Sequence, residues 1–522
     1  MAVALRDGLF VVLTPFSYFH GIHNQSLRFM DYTLVGFLFY LVLVLGVGII
    51  TYRINRSHQD FFLAGRKLSP WVVAFSERAS GESAWLILGL PGVAFAAGLL
   101  EIWTAVGCVL GILIYWYVIA RGLREQSEQF HSITLPEFFA SKLGGGKNLI
   151  RIAATLIILF FFSFYLAAQF NGAGKVLDVT FGIPPLWGIV IGSLVIILYT
   201  MMGGFFAVAW TDLIQGIIMI GALVILPLAG LIELHQNGLS LASALQSAPP
   251  EYSGLTGGTT GWAAAATVIG GLSWMFGYMG QPHLLTRFMS IKDPARIRIS
   301  RRIALAWSVP AFAGAILIGL VGWTMDIRVV QEVTDPVSQI ADKEFIMPFL
   351  TSRLFPAWLA GIFISGAIAA IMSTADSQLL VISSSVIEDF YHRTLGKELT
   401  GKRLLFLSRA VTLLVGLAAL VLAITSDKFI FGMVSYAWSG LGASFGPALL
   451  LLLYWKRIHW KGVLAGMITG TAVTVVWTEI KMLDQAVSAR FVSFVAAFLA
   501  VVAVSLWAGT PQEPGTRNRQ AA

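Results

Sequence analysis

Cysteine, charged residues and metal-binding motifs are all scarce in this chain of 522 residues. Cys108 is the single cysteine, which excludes an intrachain disulfide and any metal site built from several cysteines. The eight histidines form no HExxH or similar pair. Charged residues make up 12% of the chain, against about 25% in an average soluble domain. These absences argue against a soluble enzyme with a metal centre.

Long hydrophobic runs are abundant instead, and 57% of the residues are hydrophobic. Runs of about 20 apolar residues predict membrane-crossing helices, and no long polar stretch separates a second domain. We predict an all-α polytopic membrane protein of about thirteen spans. Their predicted ranges are 32–52, 70–97, 100–120, 148–178, 183–202, 209–234, 261–288, 303–325, 356–388, 404–425, 429–455, 460–480 and 488–508.

Lysine and arginine lie mostly in the loops on one side of these spans. With the N-terminus placed outside, the cytoplasmic side receives most of them, while the external loop 236–260 has none. The positive-inside rule therefore predicts an external N-terminus and a cytoplasmic C-terminus. The net charge of +8 follows from this distribution, so we expect no nucleic-acid partner. The apolar stretch LFVVLTPF near the N-terminus is interpreted as a short interfacial segment rather than a cleaved signal peptide.

The second predicted span contains charge where apolar residues are expected. Glu77, Arg78 and Glu82 lie in the stretch SERASGESAW, although each charge costs about 2.5 kcal/mol or more at bilayer depth. The seventh span is interrupted at FGYMGQP, where glycine and proline loosen a helix. Non-helical backbone at that depth is tolerated where it lines a cavity. Two broken helices five spans apart predict an inverted-repeat transporter with its site at the midplane, and two ordinary kinked helices are the alternative.

The ninth span carries hydroxyls at helical spacing. Ala370, Ser373, Thr374 and Ser377 share one face, and Asp376 flanks it. Oxygen ligands of this kind suit a hard cation, although Ser and Thr also serve to pack helices together.

Asp212 is predicted at the start of the sixth span. A helix cap and a cation relay are equally good interpretations of an aspartate in that position.

The broken spans and the hydroxyl-bearing span also carry a family resemblance. The chain resembles the sodium/solute symporter family, and within it the bacterial sodium/proline symporters. The resemblance runs from about residue 60 to 447, in family order and spacing. The matching stretches are DFFLAGRKLSPWVVAFS, SAWLILGLPG, ITLPEFF, GGFFAVAWTDLIQ, GYMGQPHLLTRFM, AAIMSTADSQLLVISSSVIEDFY and VSYAWSGLGASFGP.

The resemblance implies a LeuT-like core of two inverted repeats of five helices, within a single membrane domain covering residues 1–522. The expected parts are a leading helix and loop at 32–69, a first repeat at 70–234, a second repeat at 261–455, and two trailing helices with a tail at 456–522.

The resemblance also implies a sodium site between the second and ninth spans and a solute pocket lined by aromatic residues. The implied sodium ligands are backbone oxygens of Ala79, Glu82 and Ala370 and the hydroxyls of Ser373 and Thr374. The candidates for additional cation ligands are Asp376, Asp212 and Ser377. The expected solute residues are Ser83, Trp85, Tyr165, Trp274, Tyr278 and Pro282.

The chain departs from the sodium/proline symporters in the second span. Those relatives have an aspartate where this chain has Gly81, and they lack counterparts of Glu77, Arg78 and Glu82. Our hypothesis is that Asp376, together with Asp212, supplies the missing charge. A fixed guanidinium at Arg78 that replaces sodium is an alternative, and a local ion pair with the nearby carboxylates is the preferred interpretation.

Together these features predict a sodium-coupled symporter of a small amino acid, with L-proline as the first expectation. A sodium- or proton-coupled symporter of another small carboxylate or amino acid is the alternative. We expect Na⁺ as the coupling ion, the lipid bilayer as surroundings, no obligate protein partner and no enzymatic activity. The resemblance places the protein in the inner (plasma) membrane of a bacterial cell.

Overall fold

The computed structural model of this chain is almost entirely helical. It describes residues 32–44, 46–47, 50, 62–326, 328–329, 339–340, 342–397, 401–426 and 429–509. The predicted interfacial segment near the N-terminus and the C-terminal tail from residue 510 lie outside these ranges. Within them, nine helices are long and apolar enough to cross a membrane, and Tyr32–Val44 and Pro185–Met201 are shorter apolar helices. The total of thirteen crossings stays a prediction.

The first half of the chain forms a leading helix and then a series of helices. The helices are α1 Tyr32–Val44, α2 Pro70–Gly81, α3 Leu90–Ala97, α4 Ile102–Ile114, α5 Ala120–Gln129, α6 Leu135–Lys142, α7 Lys147–Phe181, α8 Pro185–Gly203, α9 Phe205–Gln236, α10 Leu241–Ser247 and α11 Pro250–Ser253. Helices α7 and α9 are the longest of these, and the helical run is interrupted between α2 and α3.

The second half likewise begins with an interrupted helix. Its helices are α12 Gly261–Leu272, α13 Trp274–Tyr278, α14 Pro282–Ser290, α15 Ile297–Thr324, α16 Ile346–Leu354, α17 Ala357–Ser384, α18 Gly401–Thr425, α19 Ile430–Tyr454, α20 Trp460–Glu479, α21 Lys481–Ala486 and α22 Ala489–Ala508. A parallel pair of two-residue strands, β1 Arg328–Val329 and β2 Gln339–Ile340, lies between α15 and α16.

Short π-helical and 3₁₀-helical segments extend several of these α-helices. The helices of the third and ninth predicted spans run further than predicted, to Gln129 and Thr394. Arg, Glu and Gln are good helix formers, so a helix can continue after its apolar run has ended. The π-helical turns are Trp85–Gly89, Tyr115–Ile119 and Ser385–Thr394, and the 3₁₀ turns are Ala64–Arg66, Gly98–Glu101, Pro294–Arg296 and Lys343–Phe345.

Burial separates a central group of helices from an outer shell. Helix α17 is buried along nearly its whole length, and it packs against α2, α7 and α9. In contrast, α18 exposes large apolar side chains such as Leu414 and Val421. Exposed apolar surface of this kind suits the hydrocarbon core of a bilayer. The polar groups of the predicted site are therefore enclosed by α2, α9, α14 and α17.

Candidate functional site

Helix α2 begins with a capped proline turn and ends inside the protein. The Ser69 hydroxyl accepts a hydrogen bond from the backbone N–H of Val72, and Pro70 occupies the first turn, where its missing N–H would be unpaired in any case. The helix ends at Gly81, and Glu82 leaves helical geometry. A π-helical turn follows before α3 begins. The predicted break in the second span is therefore present, and it lies among buried residues.

Carbonyl oxygens of α2 meet the hydroxyls of α17 near this break. The Ser373 hydroxyl donates to the Ala79 carbonyl at 3.0 Å and to the Ala370 carbonyl at 3.2 Å. The Thr374 hydroxyl donates to the Ser80 carbonyl at 2.9 Å. All five residues are fully buried. The structure thus brings together four of the five residues predicted to bind sodium, and it adds Ser80 to them.

Glu82, the fifth predicted sodium residue, is expected to contribute its backbone oxygen, and its side chain has partners of its own. Its carboxylate accepts hydrogen bonds from Arg78 at 2.6 Å and from the Tyr278 hydroxyl at 3.1 Å. The Glu82 carboxylate therefore faces the break of the seventh span rather than the hydroxyls of α17.

A buried ion cluster surrounds Arg78. This Arg78 cluster consists of Glu77, Arg78, Glu82 and Tyr115. The Arg78 guanidinium pairs with both carboxylates and donates to the Tyr115 hydroxyl at 2.6 Å. Trp116 adds an indole N–H that donates to Glu77 at 3.1 Å. The local ion pair preferred from the sequence is present.

Position 81 lies beside this cluster. A Cβ atom placed on Gly81 would be 3.8 Å from Nη2 of Arg78 and 3.4 Å from the side chain of Leu284. An aspartate at this position would therefore begin next to the Arg78 guanidinium. The position that lacks the carboxylate of the relatives is therefore next to the ion pairs that this chain has in addition.

A second buried guanidinium lies on the other side of α2. The Arg287 cluster, as we call it, consists of Arg287, Asp212, Ser76, Ser80 and Ser377. Arg287 donates to Asp212 at 3.0 Å, to the Ser80 hydroxyl at 2.7 Å and to the Ser76 hydroxyl at 3.1 Å, and it also contacts the Ser377 hydroxyl. This cluster joins α2, α9, α14 and α17. The Arg287 guanidinium therefore contacts Asp212 and Ser377, two of the residues predicted to bind an additional cation.

Asp212 does not cap its helix. Helix α9 begins at Phe205, so Asp212 lies about two turns inside it, and the residue before the helix, Gly204, has no side chain to cap with. The sixth span begins earlier than predicted because apolar residues precede Asp212. The cap interpretation is therefore wrong, and the Asp212 carboxylate accepts hydrogen bonds from the Arg287 cluster instead.

Asp376 connects to Asp212 through two hydroxyls. Asp376 accepts a hydrogen bond from the Ser377 hydroxyl at 3.2 Å. The hydroxyls of Ser377 and Ser80 are 3.1 Å apart, and Ser80 reaches Asp212 at 3.1 Å. Within the part of the chain that the structure describes, Oδ2 of Asp376 and Oδ1 of Asp212 have no hydrogen-bond partner. Each carboxylate thus keeps one buried oxygen for a further ligand.

Aromatic residues from both broken helices pack together beside the break of α2. The rings of Trp85 and Trp274 stack with centroids 4.8 Å apart. Trp438 of α19 packs against both of them and meets Tyr278 edge to face at 4.6 Å. All four side chains are buried. Three of the predicted solute residues therefore form one aromatic group with Trp438.

Ser83 and Tyr165 lie beside this group. The Tyr165 hydroxyl donates to the Ser83 hydroxyl at 3.2 Å, and Gln169 of the same helix donates to it at 3.4 Å. The Gln169 side chain also accepts a hydrogen bond from the backbone N–H of Ala84 at 3.2 Å. Helix α7 therefore contacts the chain just after the break through two polar side chains, Tyr165 at the Ser83 hydroxyl and Gln169 at that hydroxyl and at the backbone of Ala84.

Pro282 begins the half-helix α14, as its fixed φ favours. It lines a small cavity together with Thr134 of the α5–α6 connection, Thr286 of α14 itself and Ser384 of α17. The structure thus places Pro282 at a different cavity from the one that approaches the aromatic group.

The two ends of the bundle differ in packing. At one end, Arg66 donates to the carbonyls of Met289 and Ser132 at 2.6 and 2.8 Å, and Arg124 donates to the Ile291 carbonyl at 2.6 Å. Burial lowers the pKa of Arg66 to about 10, which still leaves it charged at neutral pH. These bonds join the end of α14 to α5 and to the turn before α2. This end is closed.

The opposite end contains a cavity of about 910 Å³, which we call the large cavity. Phe431 and Arg490 line it, and both also lie against the ring of Trp274, at 5.2 and 4.4 Å from its centroid. Two residues of the wall of the large cavity therefore contact the aromatic group.

Comparison with known proteins decides the family. The model of the sodium:solute symporter family matches residues 61–470. This chain belongs to that family. Among curated relatives, the high-affinity proline transporter PutP of Bacillus subtilis (strain 168) is 37% identical over 471 residues, covering 90% of this chain and 97% of the relative. The sodium/proline symporter of Escherichia coli (strain K12) is 37% identical over 447 residues, covering 85% and 88%.

Solved structures support the fold of this symporter family member. A Na⁺-coupled sialic acid symporter in an outward-open state matches with a TM-score of 0.71 at 17% identity, covering 92% of this chain and 99% of that one. MhsT in complex with L-phenylalanine matches with a TM-score of 0.54 at 14% identity, covering 84% and 98%. The predicted LeuT-like fold is confirmed by these likenesses.

Several residues of the candidate site were not predicted from the sequence. The set comprises Ser76, Ser80, Tyr115, Trp116, Gln169, Arg287 and Trp438. Arg287 and Trp438 lie within stretches that carry the family resemblance, GYMGQPHLLTRFM and VSYAWSGLGASFGP. An arginine five residues after the proline of a broken helix, in an apolar context, was the signal that could have identified Arg287.

Proposed function

We propose that this protein is a sodium-coupled symporter of L-proline that works by alternating access. Its relatives at 37% identity are named as proline transporters, and they match most of its length. The observation that carries the proposal is the group of oxygens that α2 and α17 present to one another at Ala79, Ser80, Ser373 and Thr374. Carbonyls and hydroxyls of this kind are ligands for a hard cation.

Sodium would bind where the hydroxyls of α17 now meet the carbonyls of α2. Each hydroxyl can turn its hydrogen away and direct a lone pair at the ion. The proposed ligands are oxygens of Ala79, Ala370, Ser373, Thr374 and Glu82, with Ser80 as an addition. Because these ligands come from both sides of the contact between α2 and α17, a bound ion would hold the two helices together.

Asp376 and Asp212 would provide negative charge beside this ion, and Ser377 would donate a hydrogen bond to Asp376. Arg287 already neutralises one carboxylate, since it pairs with Asp212. Asp376 receives a hydrogen bond from Ser377 and keeps one oxygen without a partner among the described residues. We therefore assign to Asp376 the role of the carboxylate that is missing at Gly81.

The solute would bind against the aromatic group and the break of α2. The ring of proline matches the flat apolar faces of Trp85 and Trp274, while Ser83, Tyr165 and Tyr278 offer polar groups. The free amides at the half-helix ends favour its carboxylate. Pro282 is proposed to act in the closed end of the pathway, since it begins the half-helix that is held there.

Two inverted repeats, at 70–234 and 261–455, would move against each other during transport. Each repeat begins with a broken helix, which supports these boundaries. With the N-terminus outside and the C-terminus in the cytoplasm of a plasma-membrane protein, the large cavity faces outward and the end closed by Arg66 and Arg124 faces inward. Sodium and solute then favour the occluded state by their differential affinity for it.

The test is uptake of radiolabelled L-proline into proteoliposomes at a fixed membrane potential. An inward sodium gradient is compared with the same gradient of potassium or choline, and a panel of amino acids and small carboxylates competes for uptake. We expect at least about tenfold faster uptake with sodium and strongest competition by unlabelled proline. If the uptake rate does not depend on the sodium gradient but does depend on a proton gradient, sodium coupling is contradicted. Stronger competition by another solute would replace proline with that solute.

A further inference from the structure

The wall of the large cavity includes a guanidinium that no carboxylate of the described residues pairs with directly. Arg490 lies in the first turn of α22, is half-buried and lines the cavity. Its Nε donates to the Ser273 hydroxyl at 3.2 Å, its Nη2 donates to the Gly270 carbonyl at 3.1 Å, and its Nη1 contacts the Ser435 hydroxyl. Within the described ranges, no Asp or Glu lies in ion-pair distance of it.

An acidic residue of the cavity wall has a hydrogen-bond partner other than Arg490. Asp484 lines the large cavity, and its Oδ1 accepts a hydrogen bond from the backbone N–H of Ala489 at 2.8 Å. That carboxylate therefore caps the start of α22, and it acts on Arg490 electrostatically without forming an ion pair with it.

This pattern differs from that of the two arginines buried beside α2. Arg78 and Arg287 each pair with a carboxylate. Among the described residues, Arg490 donates hydrogen bonds to neutral acceptors only, and three of its five N–H groups are used in them. Two donors therefore remain for a ligand, while Asp484 and Glu101 act on the guanidinium electrostatically without pairing with it. A guanidinium in this condition favours a carboxylate, which it can hold by two parallel hydrogen bonds.

Arg490 also connects the large cavity to the central aromatic group. Its guanidinium lies 4.4 Å from the centroid of Trp274, and Trp274 stacks on Trp85 at 4.8 Å. Phe431, another residue of the cavity wall, lies beside the same ring. Trp274 therefore contacts both the cavity wall and Trp85, Phe431 of the wall also contacts Trp85, and Arg490 is a charged group of the wall that lies against Trp274.

We propose that Arg490 forms a separate binding station at the base of the large cavity, which captures the carboxylate of an incoming α-amino acid before Trp274 moves aside. The proposal rests on the proposed function, since it takes the solute to be an amino acid. It goes further by placing a first carboxylate contact on α22, outside both repeats. A small α-amino acid fits easily, because the cavity volume of about 910 Å³ exceeds what one such solute needs.

The first experiment compares Arg490→Gln with Arg490→Lys in uptake assays. Arg353→Gln, which removes an exposed arginine of α16, is the matched control. Arg490→Gln should raise the KM for L-proline about tenfold with the sodium half-saturation unchanged, and Arg490→Lys should recover part of that loss. Arg353→Gln should leave both constants at the wild-type value. If Arg490 only held α12, α19 and α22 together, Vmax would fall and KM would not change, which would overturn the proposal.

The second experiment does not depend on transport. Gly432 lines the large cavity, and a side chain there would meet no other atom within 4 Å. The variant Gly432→Cys offers an accessible thiol, because the natural Cys108 is fully buried. Labelling of this thiol by a maleimide is measured with a panel of α-amino acids and with the matching amides, which lack the carboxylate.

We expect L-proline to slow labelling more than prolinamide, and this difference should disappear when Arg490→Gln is added. If wild-type protein takes up no proline, the proposed function fails, and the same comparison across the panel still tests Arg490. Labelling that no acid slows more than its amide would overturn the binding station, whichever solute the protein transports.

Discussion

Two buried arginines lie on opposite sides of α2, and their surroundings differ in origin. Arg78 pairs with Glu77 and Glu82, which are its neighbours on the same stretch of chain. Arg287 pairs with Asp212 of another helix and contacts hydroxyls from two more. Among the described residues, the Arg78 guanidinium has two carboxylates within ion-pair distance and the Arg287 guanidinium has one.

The Arg78 cluster is thus formed mainly by local contacts, and the Arg287 cluster by tertiary contacts. Glu77, Arg78 and Glu82 of the Arg78 cluster lie within about one and a half turns at the end of α2. These three residues therefore keep their contacts when α2 moves as a unit. The Arg287 cluster exists only when α2, α9, α14 and α17 are in place, so it reports their arrangement. Because the proposed sodium residues lie on α2 and α17, the Arg287 cluster is the one that movement of these helices would disturb.

The largest effect is expected from Asp212→Asn. The substitution leaves Arg287 as a buried charge without its ion-pair partner, which costs about 3–5 kcal/mol. Thermal unfolding of the purified protein in detergent should show a strongly lowered midpoint, and less protein should reach the membrane. A midpoint equal to that of the wild type would mean that Asp212 does not compensate Arg287.

A smaller effect is expected from Glu77→Gln in the Arg78 cluster. Arg78 keeps Glu82 as a partner, and the amide oxygen of the new side chain can still accept a hydrogen bond from Trp116. A loss of about 1–3 kcal/mol follows, measured by the same unfolding experiment. The comparison between the two clusters is broken if Glu77→Gln destabilises the protein more than Asp212→Asn does.

The smallest effect on stability, with a large effect on ion binding, is expected from Asp376→Ala. This carboxylate accepts its hydrogen bond from Ser377, so its removal should change the free energy of unfolding by about 1 kcal/mol or less. We expect the sodium concentration for half-maximal uptake to rise at least about tenfold, while the variant still reaches the membrane. An unchanged sodium affinity would show that another group replaces the carboxylate missing at Gly81.

Much of the fold follows from patterns that are local in the chain. Apolar runs of the length of a bilayer predict where the helices lie, and glycine and proline predict the breaks at Glu82 and before Pro282. The ends of helices were harder to predict, since α5 continues beyond its apolar run through charged residues. The start of α9 was likewise predicted too late, so Asp212 was expected near the helix cap although it lies inside the helix.

The candidate site was predicted in part for the same reason. Ser373 and Thr374 share a helical face by spacing alone, and Arg78 meets Glu82 because they are four residues apart on a helix. In contrast, Arg287 is 75 residues from Asp212 in the chain, and Arg490 is 217 residues from Ser273. Spacing along one helix carries no information about such pairs.

The sequence by itself therefore determined the helical membrane architecture, the two breaks, the hydroxyl face of α17 and the ion pairs of Arg78. Each of these depends on side chains within a few turns of one helix, where geometry is fixed by the helical repeat. Only the tertiary structure decided that Arg287 lies among the proposed cation ligands, that Trp438 joins the aromatic group and that Arg490 faces a cavity. These contacts join helices far apart in the chain, and the packing of the whole bundle sets which of their buried charges are neutralised.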